Sequence, residues 1–217
     1  MSKEKLSILI TDDHTLYRKG MVLLLKSFDQ VGSVEEASNG KEALEKLATQ
    51  HYDIILLDLD MPIMDGWETS RHIVSKMPDL KIVMISMHEE LQTISDLIEI
   101  GVHSYLLKNA EPEEVQKAIE SVVNNDFYYN QLVSKALHKK IQEGGQDPEP
   151  KRSDVTPRET EVLQLICQEL TMKEIGEKLF LSEQTIQTHR KNLMKKIKAK
   201  NVIGLVKFAF QNRIASF

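Results

Sequence analysis

The feature that most constrains the fold is an alternation, across residues 1–125, of short apolar runs with amphipathic helical patterns. Because strands that alternate with helices form parallel pairs joined by crossover helices, this alternation predicts an α/β unit whose parallel five-stranded sheet is covered on both faces. The strand-like runs are residues 6–11, 33–38, 53–58, 81–86 and 104–107, and the helical patterns are residues 15–28, 40–50, 67–77, 89–100 and 111–123.

Charge divides the chain into an acidic front and a basic back. Residues 1–125 carry a net charge of −10, whereas residues 151–217 carry +6. Between them, "EGGQDPEPKRSD" (143–154) replaces apolar periodicity with Gly, Pro and charge, which is typical of a flexible linker. We therefore expect a first unit, a linker helix with a flexible linker, and a second unit, at residues 1–125, 126–152 and 153–217.

Composition argues against a membrane protein or a disulfide scaffold. No stretch approaches the roughly 18 apolar residues that a membrane span needs, and "MSKEKLSILITDD" lacks the apolar segment and cleavage site of a signal peptide. The sequence has one cysteine, Cys167, so it can form neither an internal disulfide nor a cysteine-based metal cluster. These features predict a cytoplasmic protein without a membrane partner.

Polar side chains follow four of the predicted strands where those strands end. Asp12 and Asp13 follow the first strand, Asp58 ends the third, Ser86 ends the fourth and Lys108 follows the fifth. Ligands of open parallel sheets bind at this edge. Three neighbouring carboxylates would raise one another's pKa, so we expect Mg²⁺ or Mn²⁺ among them. Metal, hydroxyl and ammonium groups would cradle a phosphoryl group, and Asp58 would be the nucleophile that carries it.

Several motifs in this order resemble the receiver domain of two-component response regulators. They are "DD" at 12–13, "LLDLDMPIMDG" at 56–66, Ser86 after "IVMI", and "YLLK" at 105–108. The resemblance covers about the first 125 residues. It implies a flavodoxin-like fold of five β-α repeats, and a protein that is not itself an enzyme but accepts a phosphoryl group on Asp58 from a histidine kinase.

The resemblance also implies roles for the surrounding residues. Ser86 and Lys108 would contact the phosphoryl oxygens, and Ser86 and Tyr105 would form a switch in which the tyrosine changes rotamer when the hydroxyl group moves toward the phosphate. The groups expected to hold Mg²⁺ (or Mn²⁺) are the side chains of Asp12, Asp13 and Asp58 and the backbone carbonyl of Asp60.

Two histidines lie close to these groups in sequence. His88 follows Ser86 by two residues, and we hypothesise that it tunes the attack of water on the acyl phosphate. His14 follows the acidic pair, and we expect it to be a polar residue in the first turn of the next helix.

One enzymatic alternative rests on the same carboxylates. Asp58 and Asp60 at the end of an apolar strand also fit phosphatases of the haloacid-dehalogenase type, which use a nucleophilic Asp and a second acid two residues on. Those enzymes have Thr or Val two residues after the second acid, where this chain has Pro62. Turnover of a generic phosphomonoester would support this alternative.

Residues 153–217 contain explicit signals of helix starts. "TPRE" (156–159) and "TMKE" (171–174) are capping boxes, and Ser182 is a third candidate cap. Helices this short must pack together to be stable, so the segment predicts a small all-α, four-helix domain. The expected helices are residues 157–169, 172–179, 183–198 and 202–213.

The third of these helices is strongly basic. Residues 182–200 carry six positive charges against the single acid Glu183, and they follow a short helix and a tight turn, as a recognition helix does. "KEIGEKLFLSEQTIQTHRKNLMKKI" (173–197) resembles the helix-turn-helix of the LuxR/NarL-type DNA-binding domain, together with "TPRE" and Asn201. Glu169 and Gly176 depart from that pattern, and Gly176 would weaken its helix relative to Ala.

The second resemblance implies which residues contact double-stranded DNA. Lys191→Ala would relax base preference, whereas Lys196→Ala would weaken binding to all sequences and lower its salt dependence. The expected base-reading residues are Gln187, Thr188 and Lys191, and the expected phosphate contacts are Arg190, Lys195 and Lys196.

Two resemblances in one chain predict a mechanism of the NarL/FixJ type. Phosphorylation of Asp58 would shift the chain to an active conformer, which would bind DNA as a homodimer because helix-turn-helix domains read paired half-sites. The alternative is a DNA-binding regulator that does not depend on phosphorylation.

Overall fold

A computed structural model describes residues 5–143, 155–168, 170–199 and 202–215. Most of the predicted flexible linker, together with Glu169 and Asn201, lies outside these ranges. The chain divides into two compact units, Met1–Val133 and Ser134–Phe217. Nowhere in the described ranges is a helix both long and apolar enough to cross a membrane.

The first unit is the predicted α/β fold. Its five strands form a sheet of order β2-β1-β3-β4-β5 in which all pairs are parallel. The elements, in chain order, are β1 Leu6–Thr11, α1 Thr15–Lys26, β2 Val31–Ala37, α2 Gly40–Leu47, β3 Ile54–Asp58, α3 Gly66–Lys76, β4 Lys81–Ser86, α4 Leu91–Ile100, β5 Ser104–Leu107 and α5 Pro112–Asn125.

The register of the central strands brings their carboxyl ends to one edge. Thr11 pairs with Leu57 across β1 and β3, and Asp58 pairs with Ile85 across β3 and β4. Lys108 is fixed beside the end of β4 by its backbone N–H, which donates to the Ser86 carbonyl at 2.8 Å. Every residue of β3 is buried, so this strand delivers Asp58 from the centre of the core.

The sixth helix begins later than predicted. Helix α6 spans Gln131–Glu143, whereas the sequence indicated a start near residue 126. The physical reason is that Asp126 adopts a left-handed conformation, with φ of 69°, and ends α5. The chain then follows the first unit, because the Tyr128 N–H donates to the His103 carbonyl at 3.1 Å. Asn130 caps α6 by accepting from the Val133 N–H at 3.0 Å.

The second unit contains the four predicted helices. They are α7 Pro157–Cys167, α8 Met172–Leu179, α9 Glu183–Lys196 and α10 Val202–Gln211. Both capping boxes form, and Ser182 caps α9. Helix α9 ends two residues earlier than predicted because Lys198 adopts a left-handed conformation, with φ of 56°.

Gly176 has a packing role that its helix propensity does not reveal. A Cβ atom at this position of α8 would lie 2.7 Å from the main-chain oxygen of Leu181. The turn that follows α8 passes so close to the helix that a larger residue would displace it. The glycine therefore permits the tight turn before α9, although it lowers the helix propensity of α8.

Candidate functional site

The strand ends bring together the acidic residues predicted from the sequence. Asp12 and Asp58 are buried, with 1% and 3% of their surfaces exposed. Carboxylate oxygens of Asp12, Asp13 and Asp58 and a ring nitrogen of His14 lie within 4.8 Å of one another. The Lys108 ammonium is 2.8 Å from Asp12 Oδ2 and 2.8 Å from Asp58 Oδ2.

The cluster contains three carboxylates but only one ammonium among the described residues. Burial raises the pKa of the Asp58 carboxyl above its ordinary value, the Asp12 charge adds to this, and hydrogen bonds from Lys108 and the Leu59 N–H oppose it. Burial lowers the pKa of Lys108, but hydrogen bonds to Asp12 and Asp58 outweigh that effect and raise it overall. Three carboxylates facing one ammonium fit a divalent cation with oxygen ligands, such as Mg²⁺ or Mn²⁺.

Ser86 and Tyr105 meet at the backbone of His88. Both side chains are fully buried. The His88 N–H donates to Ser86 Oγ at 3.2 Å, and the Tyr105 hydroxyl donates to the His88 carbonyl at 2.8 Å. Burial raises the pKa of Tyr105 to about 12, so its hydroxyl remains a donor. The residues predicted to form a switch are therefore joined through one peptide segment.

The side chain of Asp60 points away from the acidic cluster. Its Oδ2 lies 2.6 Å from His88 Nε2, and both side chains are more than half exposed. The carboxylate of Asp60 thus contacts the β4–α4 loop, and the use of its backbone carbonyl as a metal ligand stays a prediction. The imidazole of His88 thereby bridges the loops that follow β3 and β4.

His14 and Tyr17 belong to the site more closely than the sequence indicated. His14 precedes the first turn of α1, and its Nδ1 lies 2.9 Å from Asp13 Oδ1. The Tyr17 ring centroid is 5.1 Å from Lys108 Nζ, within the range of cation–π attraction. Burial and the charges of Asp12 and Asp58 raise the pKa of Tyr17. No pattern in the sequence indicated this contact, because it joins α1 to the residue that follows β5.

The residues expected to contact DNA share α9 but differ in exposure. Gln187, Thr188, Lys191 and Lys195 are exposed, and their spacing places the last three along one face of the helix. Arg190 is partly buried, and burial lowers the pKa of its guanidinium.

Lys196 is exposed as well, with 36% of its side chain accessible, but it forms an ion pair within the domain. Its Nζ lies 2.7 Å from Glu159 Oε2 on α7. Lys196 is therefore an exposed residue of α9 whose ammonium is paired with an acid of α7.

Known families match both units. The family described as "Response regulator receiver domain" matches residues 8–120, and the family described as "Bacterial regulatory proteins, luxR family" matches residues 153–209. The chain is a two-component response regulator of the NarL/FixJ family. It contains a receiver and a LuxR-type helix-turn-helix domain, and the family consists of transcriptional regulators rather than enzymes. The phosphatase alternative raised by Asp58 and Asp60 is therefore wrong.

Relatives match this response regulator along nearly its whole length. It is 32% identical to the transcriptional regulatory protein MctR of Rhizobium johnstonii, covering 99% of this chain and 97% of MctR. It is 32% identical to the nitrate/nitrite response regulator protein NarL of Escherichia coli, covering 98% and 99%. A structure of RcsB from Salmonella enterica serovar Typhimurium, bound to promoter rprA in the presence of phosphomimetic BeF₃⁻, has a TM-score of 0.57 at 25% identity, covering 94% and 98%.

Proposed function

We propose that this response regulator is a transcription factor controlled by phosphorylation of Asp58. A histidine kinase would supply the phosphoryl group with Mg²⁺ or Mn²⁺ present, and the phosphorylated chain would bind double-stranded DNA as a homodimer. The observation that carries the proposal is the geometry around Asp58, whose buried carboxylate lies among Asp12, Asp13 and Lys108 at the carboxyl edge of the sheet.

The residues around Asp58 have complementary tasks in the proposed transfer. The Asp58 carboxylate attacks phosphorus, and the P–N bond of the kinase phosphohistidine breaks as its imidazole leaves. Lys108 and Ser86 bind the phosphoryl oxygens that gain charge. Asp12, Asp13, Asp58 and the Asp60 carbonyl would hold the metal ion, which supplies positive charge toward those oxygens.

The switch would act through Ser86, Tyr105 and the start of α6. Movement of Ser86 toward the phosphoryl group would shift the His88 segment, to which the Tyr105 hydroxyl is bonded. Asn130 Nδ2 donates to the Tyr105 carbonyl at 3.2 Å, while Asn130 Oδ1 caps α6. A displacement of β5 at Tyr105 would therefore reach the helix that leads out of the receiver, which supports a conformational link to the DNA-binding unit.

On α9, Gln187, Thr188 and Lys191 would read bases, and Arg190 and Lys195 would contact phosphates. Lys and Gln side chains match the acceptor and donor patterns of guanine and adenine in the major groove. The promoter-bound state of RcsB, in the presence of a phosphomimetic, supports the same coupling of receiver and DNA binding in this chain.

The test is the intact mass of the full chain after incubation with Mg²⁺ and acetyl phosphate, followed by size-exclusion chromatography. We expect a gain of one phosphoryl group and a larger species in the wild-type chain, and neither in Asp58→Asn. Labelling that persists in Asp58→Asn would contradict the assignment. If the wild-type chain gains no phosphoryl group but still binds DNA in a mobility-shift assay, the regulator that does not depend on phosphorylation would be favoured.

A further inference from the structure

The buried carboxylate of Glu159 links two helices of the DNA-binding unit. Glu159 is 4% exposed, and its Oε2 accepts from the Thr156 N–H at 2.8 Å and from the Thr156 hydroxyl at 2.9 Å, which closes the capping box of α7. The same oxygen lies 2.7 Å from Nζ of Lys196, the last residue of α9. One acid therefore fixes both the start of α7 and the end of the basic helix.

The hydrogen-bond partners of Glu159 stabilise its charged form. Burial alone would raise the pKa of Glu159, but hydrogen bonds from Lys196 and Thr156 outweigh it and leave the pKa below its ordinary value. Each charge also complements its own helix dipole, with the acid in the first turn of α7 and the lysine in the last turn of α9. Removing Lys196 would leave the buried carboxylate of Glu159 without its cation, which is more costly than losing one partner of a fully exposed ion pair.

The second capping box of the domain shows what Glu159 does beyond capping. Glu174 binds the Thr171 N–H and hydroxyl at 2.7 and 2.8 Å, nearly the same geometry. Glu174 is exposed, and across the described part of the chain no ion pair joins it to a lysine or arginine. The connection to α9 is thus a separate property of Glu159 that capping does not require.

We propose that Glu159 and Lys196 are positioning residues that set the orientation of α9 against α7, and that Lys196 is not a phosphate contact. The side chain that the basic pattern marked for DNA is instead held by an acid 37 residues away in sequence. Helices α7 and α9 contact each other, and each buries apolar residues, such as Leu163 on α7 and Leu193 on α9. A fixed point at the end of α9 therefore limits how that helix can pivot when it presents Lys191 and Gln187.

The experiment measures binding of the full chain, with and without acetyl phosphate, to two duplexes across a series of salt concentrations. One duplex is selected by the wild-type chain from a randomised pool, and the other is a scramble of the same composition. Lys196→Met is compared with Lys195→Met, its neighbour on α9, and Glu159→Gln with Glu174→Gln. All measurements use a temperature at which circular dichroism shows every variant folded.

We expect Lys195→Met to reduce the slope of log affinity against log salt by about 0.9, as loss of one phosphate contact does. Lys196→Met should leave the slope unchanged and reduce preference for the selected duplex by roughly tenfold. Glu159→Gln should reproduce that loss, the double variant should add little to it, and Lys196→Arg should restore it. Glu174→Gln should keep the wild-type preference.

Two results would overturn the proposal. A slope reduced equally by Lys196→Met and Lys195→Met would make Lys196 a phosphate contact. If folded Lys196→Met and Glu159→Gln kept the wild-type preference for the selected duplex, the ion pair would only stabilise the domain and would not position α9. The proposal rests on the use of α9 as the recognition helix, and Lys191→Ala tests that separately, because its loss of base preference does not depend on Glu159.

Discussion

In the receiver, Lys108 Nζ lies 2.8 Å from the buried carboxylate of Asp58, and in the DNA-binding unit Lys196 Nζ lies 2.7 Å from the buried carboxylate of Glu159. The two acids nevertheless respond oppositely to their surroundings. The pKa of Asp58 is raised, chiefly by burial, whereas that of Glu159 is lowered because hydrogen bonds outweigh burial.

The difference lies in the other groups around each acid. Asp58 shares its lysine with Asp12 and has Asp13 close by, so its site has more negative than positive charge, which favours binding of a cation. Glu159 receives two donors from Thr156 and one from Lys196, so its charge is compensated within the domain. A buried carboxylate with too few hydrogen-bond donors indicates a functional site. A buried carboxylate whose donors are all present indicates a structural role.

The largest effect should come from removing the lysine in the receiver. Lys108→Ala takes away the only cation that pairs with Asp58 among the described residues. We expect acetyl phosphate to label this variant about 100-fold more slowly, the scale of losing one donor to a developing oxyanion. Intact mass against time measures the rate, with the exposed Lys41→Ala as control. A wild-type labelling rate in Lys108→Ala would show that Lys108 does not assist phosphoryl transfer, which would contradict the account of this site.

Stability should change in opposite directions when the two acids are neutralised. Asp58→Asn relieves a charge that burial disfavours, and we expect the receiver to gain about 1 kcal/mol in free energy of unfolding. Glu159→Gln weakens charge-assisted bonds, and we expect a loss of about 2 kcal/mol in the DNA-binding unit. Trp67, the single tryptophan of the sequence, reports unfolding of the receiver, and hydrogen exchange in α7 and α9 reports the other unit.

The pH dependence of these differences follows from the pKa directions. The raised pKa means that the destabilising charge of Asp58 develops as pH rises from the ordinary aspartate value of about 4 through the raised folded value, so the gain in Asp58→Asn should vanish below that window. The lowered pKa means that Glu159 stabilises above its ordinary value and loses this as pH falls through the folded one. Changes of the same sign in both variants would contradict the account.

A smaller effect is expected at Tyr17, which faces Lys108. Tyr17→Leu removes the aromatic face beside the ammonium, and we expect phosphorylation to slow about fivefold, in line with about 1 kcal/mol of cation–π attraction. Tyr17→Phe keeps the ring and should stay close to wild type. In a Lys108→Ala background, Tyr17→Leu should have no further effect. A slow Tyr17→Phe, or equal losses with and without Lys108, would assign the effect to the hydroxyl or to packing.

The smallest effect is expected at the exposed pair of His88 and Asp60. If the imidazole bridging the two loops restricts attack of water on the acyl phosphate, His88→Ala should lose its phosphoryl group a few-fold faster. Asp60→Ala should behave alike, because it releases the ring and keeps the backbone carbonyl. The decay of intact mass after removal of acetyl phosphate measures both, and an unchanged rate in His88→Ala would remove the hypothesis.

Local patterns predicted the fold better than they predicted pairings between distant residues. The bounds predicted for β1, β4 and β5 agree with the structure, since each is a compact apolar run that leads into polar residues. β2 begins two residues before its predicted start, because it is an edge strand with half-exposed positions and weak alternation. The strand-end rule located Asp58 and Lys108, since parallel strands bring their carboxyl ends together.

The sequence could not predict which lysine of α9 would form an ion pair with a carboxylate of another helix. Lys195 and Lys196 are adjacent and equally basic, and the partner of Lys196 lies on another helix. Tyr17 faces Lys108 only because α1 packs back onto the sheet, where Tyr17 contacts the buried core. Such pairings depend on tertiary geometry, which neither periodicity nor charge counting contains.

The most direct test of the central claim is the affinity of the full chain for its selected duplex, measured with and without acetyl phosphate and Mg²⁺, in wild type and in Asp58→Asn. If Asp58 controls DNA binding, phosphorylation should tighten binding of the wild type by about tenfold, within the usual range of allosteric coupling, and should leave Asp58→Asn unchanged. Equal affinity of the wild-type chain before and after a mass-confirmed phosphorylation of Asp58 would contradict the account.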